Sequence, residues 1–163
     1  MGQVVKDKPK KADPPTPTRA RYQDDLYTWV FQQVELLKAG RVTEIDAANI
    51  AEELADVGHE QYDKLESAAA VVLMHLLKWD HQPQLRSRSW VLTVREQRRR
   101  ITRVLKKNPG LKPHVAEATA EGYLDGRDRA AIETGLDDRA FPAACPYTWD
   151  EILNRPIELD PAS

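Results

Sequence analysis

Acid–base or metal chemistry in this chain would have to begin from its four histidines. His75 and His81 are six residues apart, a spacing that does not place both on one face of a helix. No His-x-x-x-His, Glu-x-x-His or Cys-x-x-Cys run occurs in the sequence. His75 borders an apolar stripe near Trp79, where a histidine is typically a boundary residue with one satisfied ring nitrogen. We therefore expect no metal, no cofactor and no catalytic residue, unless His75 meets Glu52 or Glu53 in a cleft.

Nucleophilic chemistry has a single thiol to start from, Cys145. A reactive cysteine needs a neighbouring base or a helix N-terminus to lower its pKa, and the sequence places neither beside this one. One cysteine also cannot form a disulfide within the chain. No secretory segment is visible, and no apolar segment approaches the roughly 20 residues of a membrane span. These observations predict a cytoplasmic protein without a membrane partner, whose stability comes from packing.

Phosphate binding by basic side chains is the third chemistry that the residue types allow. The total of 24 Lys+Arg against 26 Asp+Glu, a net charge of −2, excludes a globally basic nucleic-acid protein. Residues 86–107, however, carry nine basic side chains against Glu96 alone, a balance of +8. Residues 44–66 carry eight acids against Lys64 alone, a balance of −7. The near-neutral total is therefore a cancellation of two opposite blocks.

The basic block has two interpretations. At about 100° per residue, the helix predicted there has one apolar face and an opposite basic face. The candidates for phosphate contacts on that basic face are Arg95, Arg99, Arg103 and Lys106. Alternatively, the acidic and basic blocks pair with each other. We favour the pairing, because no aromatic residue interleaves these side chains as a base-stacking platform would require.

Arg98 differs from its neighbours because its angular position falls inside the apolar face, between Val91 and Leu105. A buried guanidinium needs a partner with well-formed hydrogen bonds. Glu53 borders the apolar stripe of the acidic segment and is the best candidate. We therefore expect a structural Arg98–Glu53 ion pair that fixes how two helices meet.

Helices must position these residues, since no segment alternates apolar and polar residues as a strand would. Residues 1–20, rich in proline and lysine, are predicted as a disordered basic tail. The rest predicts an all-α fold, a single helical bundle of five main helices plus a short C-terminal helix. The main helices are expected over 24–40, 46–58, 59–80, 87–107 and 113–134, and the short one from Thr148. The helical domain is thus 21–155, and 156–163 is a C-terminal tail.

Two predicted helices carry signs of close packing. Gly122 and Gly126 lie inside the fifth one, where each costs about 1 kcal/mol relative to alanine. With Ala118 and Ala130 they form a row of small residues at four-residue spacing, which lets another helix approach closely. The alternative is a break in the helix at the glycines.

The third predicted helix is apolar on two faces, which indicates burial on nearly all sides. Its second face consists of Ala70, Met74 and Leu77. We favour this helix as the centre of the bundle. The alternative is that the second face is a homodimer contact.

Several short motifs together resemble one known family. They are Asp25…Trp29, Gly40-Arg41, Asn49-Ile50-Ala51-Glu52-Glu53, Leu73-Met74-His75-Leu76-Leu77-Lys78-Trp79, Gln82-Pro83, Arg86-Ser87-Arg88-Ser89-Trp90, Gln97-Arg98 and Phe141-Pro142…Cys145-Pro146. Over residues 22–153 the chain resembles the bacterial domain-of-unknown-function family number 29. The resemblance implies a small, all-helical, single-domain bacterial protein. It implies no activity, no catalytic residue and no cofactor.

We therefore interpret the protein as a helical interaction or scaffold module without catalytic activity, with an unknown protein partner. The alternative is a nucleic-acid-associated protein that uses the basic face of the helix over 87–107. His75, Glu52 and Trp79 are the candidate pocket or boundary residues. They would support an enzyme only if they converged in an open pocket.

Overall fold

Helices account for all the regular structure of residues 19–159, the part of the chain that the computed structural model describes. The α-helices are α1 (Leu26–Lys38), α2 (Ala47–His81), α3 (Arg88–Lys107), α4 (Val115–Thr134) and α5 (Trp149–Asn154), with 3-10 turns at Pro83–Leu85, Pro109–His114 and Asp138–Ala140. No strand occurs among these residues, so the predicted all-α class is confirmed. The predicted N-terminal tail lies, up to residue 18, outside the described residues.

The chain divides into two compact units, Met1–Glu53 and Leu54–Ser163. The first unit holds α1 and the first turns of α2, and the second holds the rest of α2 together with α3, α4 and α5. The boundaries expected for the helical domain, 21–155, and for the C-terminal tail, 156–163, stay predictions.

The helices begin and end where local capping chemistry indicates. The Asp25 carboxylate accepts a hydrogen bond from the Thr28 amide at 3.0 Å and so caps α1. α4 ends at Gly135, whose φ of +69° is a left-handed conformation that glycine adopts without strain. At α5, Thr148 and Glu151 form the expected capping box, in which each side chain accepts from the other residue's backbone amide. Each of these ends depends on residues only a few positions apart.

The prediction of separate helices over 46–58 and 59–80 is wrong, because α2 runs unbroken through Gly58. Gly58 lacks the positive φ of a helix-ending glycine, which in the described chain only Gly40 and Gly135 have. A glycine inside a helix costs about 1 kcal/mol relative to alanine, and packing along the rest of α2 exceeds that cost. The described residues therefore form four long helices and one short helix, rather than five main helices and a short one.

Between Leu65 and Trp79, α2 is the centre of the core of the second unit. The buried side chains of this stretch are Leu65, Ala68, Ala69, Ala70, Val72, Leu73, Met74, His75, Leu76, Leu77, Lys78 and Trp79. The face offered as a homodimer contact, Ala70, Met74 and Leu77, is at most 6% exposed and is covered within the chain. The central-helix interpretation accounts for this face within one chain, whereas a homodimer through it would require the core to open.

α4 lies against α2 almost backbone to backbone. A Cβ atom added to Gly122 would lie 3.0 Å from the Glu66 carbonyl oxygen and 3.1 Å from the Ala70 nitrogen. A Cβ atom added to Gly126 would lie 2.6 Å from the Ala70 carbonyl oxygen. The buried row of small residues on α4 is Ala118, Gly122, Gly126 and Ala130. The expected close approach is therefore confirmed, and the alternative of a break in this helix is wrong.

Gly126→Ala should destabilise the protein by about 1–3 kcal/mol, as overpacking a core does, because the new methyl group meets backbone rather than a movable side chain. Gly58→Ala is the matched control, since a Cβ atom there meets nothing within 4 Å. It should stabilise the protein by about 0.5–1 kcal/mol through helix propensity alone. Urea unfolding followed by circular dichroism measures both changes. A stabilised Gly126→Ala variant would contradict the close approach of α4 and α2.

Candidate functional site

α3 separates an apolar face from a basic one. Val94 and Ile101 are buried in the core of the second unit. Arg95, Arg99 and Arg103, which we call the arginine row, are exposed. Because they are four residues apart, they follow one another along one side of the helix with a rise of about 6 Å per step. The burial of the apolar face thus fixes where the basic face points.

A groove of about 790 Å³ runs between the basic face of α3 and the segment at the end of α5. Five arginines line it, against the two acids Glu96 and Glu158. The arginines are Arg95, Arg98, Arg99 and Arg103 on α3 and Arg155 on the opposite wall. Lys106, the fourth candidate phosphate contact, is not among the lining residues. The groove therefore carries a net positive charge, which favours an anionic occupant.

Arg98 binds the end of α5. Its Nε donates to the Ile152 carbonyl oxygen at 2.8 Å, and its Nη2 donates to the Glu151 carbonyl oxygen at 3.2 Å. The last turn of a helix leaves carbonyl oxygens short of partners, so the guanidinium supplies donors where α5 needs them. Burial lowers the pKa of Arg98, and the charge of Arg155 lowers it further. Arg98 is therefore a structural residue at the base of the groove.

The expected Arg98–Glu53 ion pair stays a prediction, because its two residues belong to different units. Glu53, in the first unit, accepts a hydrogen bond from the Tyr22 hydroxyl at 2.7 Å. The premise that a half-buried guanidinium takes hydrogen-bonding partners holds, but those partners are backbone carbonyl oxygens. Helical spacing alone cannot distinguish a carboxylate partner from the carbonyl groups of a helix end.

Arg155, on the opposite wall, is bound to Asp80 near the end of α2. Two guanidinium nitrogens donate to the two carboxylate oxygens, at 2.5 and 2.9 Å, and the Tyr147 hydroxyl donates to the same carboxylate at 2.8 Å. Burial raises the pKa of Asp80, but the hydrogen bonds from Arg155 and Tyr147 outweigh burial and leave that pKa lowered. The wall of the groove is therefore fixed to α2. Sequence analysis missed this pair, whose members are 75 positions apart.

The arginine row is not neutralised by its own unit. Among the described residues of Leu54–Ser163, no carboxylate forms an ion pair or a hydrogen bond with any of its three side chains. Two acids of α2 in this unit have partners on their own helix, Glu60 with Lys64 at 2.8 Å and Asp56 beside His59 at 3.8 Å, and Asp80 pairs with Arg155. The favoured expectation, that the acidic and basic blocks neutralise each other, finds no support in this unit.

His75 and Trp79 belong to a buried cluster outside the groove. His75 is 7% exposed, and its Nδ1 lies 2.8 Å from a backbone carbonyl oxygen one turn earlier on α2. Burial lowers the pKa of this imidazole and favours its neutral form. Next to it, Lys78 forms an ion pair with Glu133, and its Nζ lies 4.4 Å from the centre of the Trp90 ring. The cluster is a packed interior in which polar groups satisfy one another.

Glu52, the remaining candidate pocket residue, is exposed in the first unit. His75 and Trp79 are thus both buried in the second unit, whereas Glu52 belongs to the first unit. Within residues 19–159, no group of three His, Cys, Asp or Glu side chains is placed to hold a metal ion. No helix of the described chain combines the length and apolarity that crossing a membrane requires.

A family model described as Domain of unknown function DUF29 matches residues 21–156 of the chain. The matched range contains the arginine row and the opposite wall up to residue 156. No curated protein and no solved structure matches the chain. The match to the family model confirms the resemblance that the short motifs indicate.

Asp80→Asn should release the wall of the groove and lower the free energy of unfolding at pH 7 by roughly 1.5 kcal/mol. This value is the lower end of the range for a hydrogen bond to a charged group, because both side chains of the Asp80–Arg155 pair are partly exposed. The folded protein lowers the pKa of Asp80, so the carboxylate stabilises the fold above its unfolded pKa of about 3.9. That contribution to stability is lost as the pH falls through the lower pKa that Asp80 has in the folded protein. Urea unfolding of both proteins at pH 7 and near pH 2 measures the difference.

Asp128→Asn is the matched control for this prediction, because Asp128 is exposed on α4 and makes no hydrogen bond or ion pair with the described residues. Its unfolding should match that of the unmodified chain at both pH values. If Asp80→Asn showed the same loss of stability at both pH values, the charged form of Asp80 would not be what holds the wall.

Proposed function

The chain belongs to the DUF29 family, whose description names no activity, and we propose that it binds the phosphate backbone of nucleic acid along the groove of α3. The observation that carries the proposal is the arginine row, three exposed guanidinium groups on one side of the groove without a carboxylate partner in their unit. An uncompensated row of positive charge on a rigid helix is the electrostatic footprint expected of a phosphate-binding surface.

The chemistry of the side chain supports phosphate as the ligand group. A guanidinium presents a planar set of N–H donors that match the oxygens of a phosphate in pairs. Each phosphate that such a group neutralises also releases condensed counterions into solution, which adds affinity. Arginine therefore binds a polyanion through both geometry and counterion release.

The spacing of the arginine row suits a polymer of phosphates. The row extends from Arg95 to Arg103, a rise of about 12 Å along α3. One strand of duplex DNA carries a phosphate every 3.4 Å or so of helix axis, so about three or four phosphates lie within that length. Each guanidinium can therefore meet a different phosphate of the same strand.

The lining of the groove indicates binding that does not depend on base sequence. None of its described lining residues is a phenylalanine, tyrosine or tryptophan, so the groove offers no platform for base stacking. Contacts to phosphate fix the position of a protein on nucleic acid but do not read the bases. We therefore expect similar affinities for duplexes of unrelated sequence.

Whether the basic face is neutralised within the protein distinguishes this function from a helical interaction module. The module is favoured when the basic and acidic blocks neutralise each other, since the basic face then has no ligand to bind. In the second unit Asp56, Glu60 and Asp80 of α2 have partners outside the arginine row, and none of the described carboxylates of this unit pairs with the row. The interaction module stays the alternative, and the binding experiment below separates the two.

Replacing Arg95, Arg99 and Arg103 together with glutamine should weaken binding to DNA and RNA. The readout is the fluorescence anisotropy of labelled duplexes of unrelated sequence across a salt series that begins at about 50 mM, where phosphate contacts are strongest. If three phosphate contacts are lost, the slope of log K against log salt should fall by about 2 to 3. Arg98 stays unchanged, because it holds the end of α5.

The matched control replaces Arg88, Arg100 and Lys107 with glutamine, which removes the same charge from the same helix outside the groove. This variant should keep most of the salt slope. Equal losses in the two variants would mean that net charge, rather than the groove, attracts the polyanion. Absence of binding by the unmodified chain at about 50 mM salt would contradict the proposed function and leave the interaction module.

A further inference from the structure

α1 exposes aromatic side chains on the side opposite its own buried residues, Trp29 and Gln33. Tyr27 and Phe31 precede these two residues by two positions each, which places them about 200° around the helix. The rings of Tyr27 and Phe31 are neighbours, with centroids 4.9 Å apart, yet the two residues are 75% and 54% exposed. A surface helix is ordinarily polar on the side away from its core, so this arrangement indicates a contact surface.

The charge on α1 is sparse and balanced within the helix. Of its 13 residues only Glu35 and Lys38 are charged, and their side chains form an ion pair at 3.1 Å. Just after the helix, Arg41 forms a second local pair with Glu44. α1 therefore carries no net charge that would repel an identical helix or select a partner of opposite charge.

We propose that α1 is the contact surface of a homodimer, in which its exposed apolar residues pack against the same residues of a second copy. These residues, which we call the α1 face, are Leu26, Tyr27, Phe31 and Leu37. At 100° per residue they lie within an arc of about 140° on one side of the helix. The α1 face belongs to the first unit and differs from the face of α2 that the core of the second unit covers.

The area of the α1 face is sufficient for a stable dimer. Burying an aromatic side chain covers about 150–250 Å², so the exposed fractions of Tyr27 and Phe31 leave roughly 200–300 Å² for a partner. An interface of standard size covers about 800 Å² on each partner, of which about 57%, or roughly 450 Å², is apolar. Leu26 and Leu37 are each nearly half exposed and supply much of the remaining apolar area.

A second copy fits this face better than a partner of different chemistry. A twofold contact uses the same patch on both partners, and a patch without net charge meets its own copy without repulsion. Aromatic residues are enriched at the centre of such interfaces, where a few of them supply most of the binding energy. The inference concerns the first unit alone and does not depend on the arginine row of the second.

Sedimentation velocity of the full chain across a concentration series tests the proposal. Measurements in high salt screen contacts between charged side chains and leave apolar contacts intact. The unmodified chain should be a dimer at about 100 μM. A variant with both Tyr27→Gln and Phe31→Gln should dimerise at least about 100-fold more weakly, because each lost ring counts twice in a twofold contact.

The matched control carries Leu124→Gln and Ile132→Gln, which remove two exposed apolar side chains from α4 instead of α1. This variant should dimerise as the unmodified chain does. Glutamine is a good helix former, so neither variant should lose its helices, and circular dichroism verifies this.

A pair of charge variants tests whether the α1 face meets its own copy. Phe31→Lys alone and Phe31→Glu alone should each be monomeric, because like charges then face each other across the twofold axis. An equimolar mixture of the two, in low salt, should associate at least about tenfold more tightly than either variant does alone. A face that contacts a different surface of the second copy would show no such rescue.

Three results would overturn the proposal. A monomeric unmodified chain at about 100 μM would leave the α1 face to a different protein. Dimerisation that survives Tyr27→Gln with Phe31→Gln, or that the control on α4 abolishes, would place the interface elsewhere. Absence of rescue in the mixture of charge variants would exclude a contact of the α1 face with itself.

Discussion

The contact between the backbones of α2 and α4 constrains the rest of the second unit. At Gly126 the carbonyl oxygen of Ala70 occupies the space that a side chain would need, so the two helices can approach closely only because this position has no Cβ atom. That approach covers the second apolar face of α2 and makes α2 the centre of the core. α3 then packs into the same core through Val94 and Ile101. The position of the basic face follows from this packing.

The segment after α4 is tied to the same framework. The Tyr123 hydroxyl of α4 donates to the Pro142 carbonyl oxygen at 2.6 Å, and Asp80 of α2 binds both Tyr147 and Arg155. With Arg98 at the end of α5, these contacts place the second wall of the groove. The arginines that line the groove therefore divide into two groups. Arg98 and Arg155 make hydrogen bonds within the structure, whereas the exposed arginine row has no carboxylate partner among the described residues of its unit.

What the sequence predicts well is local. The cap at Asp25, the capping box at Thr148 and the left-handed Gly135 each depend on neighbours within a turn, and the small-residue row of α4 depends on a four-residue repeat. The prediction that a helix ends at Gly58 is wrong. The sequence shows the cost of placing a glycine in a helix, but it does not show the packing that outweighs this cost.

The candidate site is only partly visible in the sequence for the same reason. The arginine row follows from helical periodicity, but its lack of partners depends on where distant carboxylates lie. The partners of Arg98 are backbone carbonyl groups, which no residue type reveals, and the Asp80–Arg155 pair joins residues 75 positions apart. The motifs did indicate the family correctly, because a set of short strings spread over the chain is specific even when each string alone is weak.

The most direct measurement of the central claim is an NMR titration of the ¹⁵N-labelled chain with a short DNA duplex, followed at the Nε–Hε signals of the arginine side chains. Contact with phosphate should shift the signals of Arg95, Arg99 and Arg103 together, while Arg88, on the same helix outside the groove, stays in place. Shifts that are confined to Arg88 and other residues outside the groove, or no shifts at all at low salt, would contradict the account.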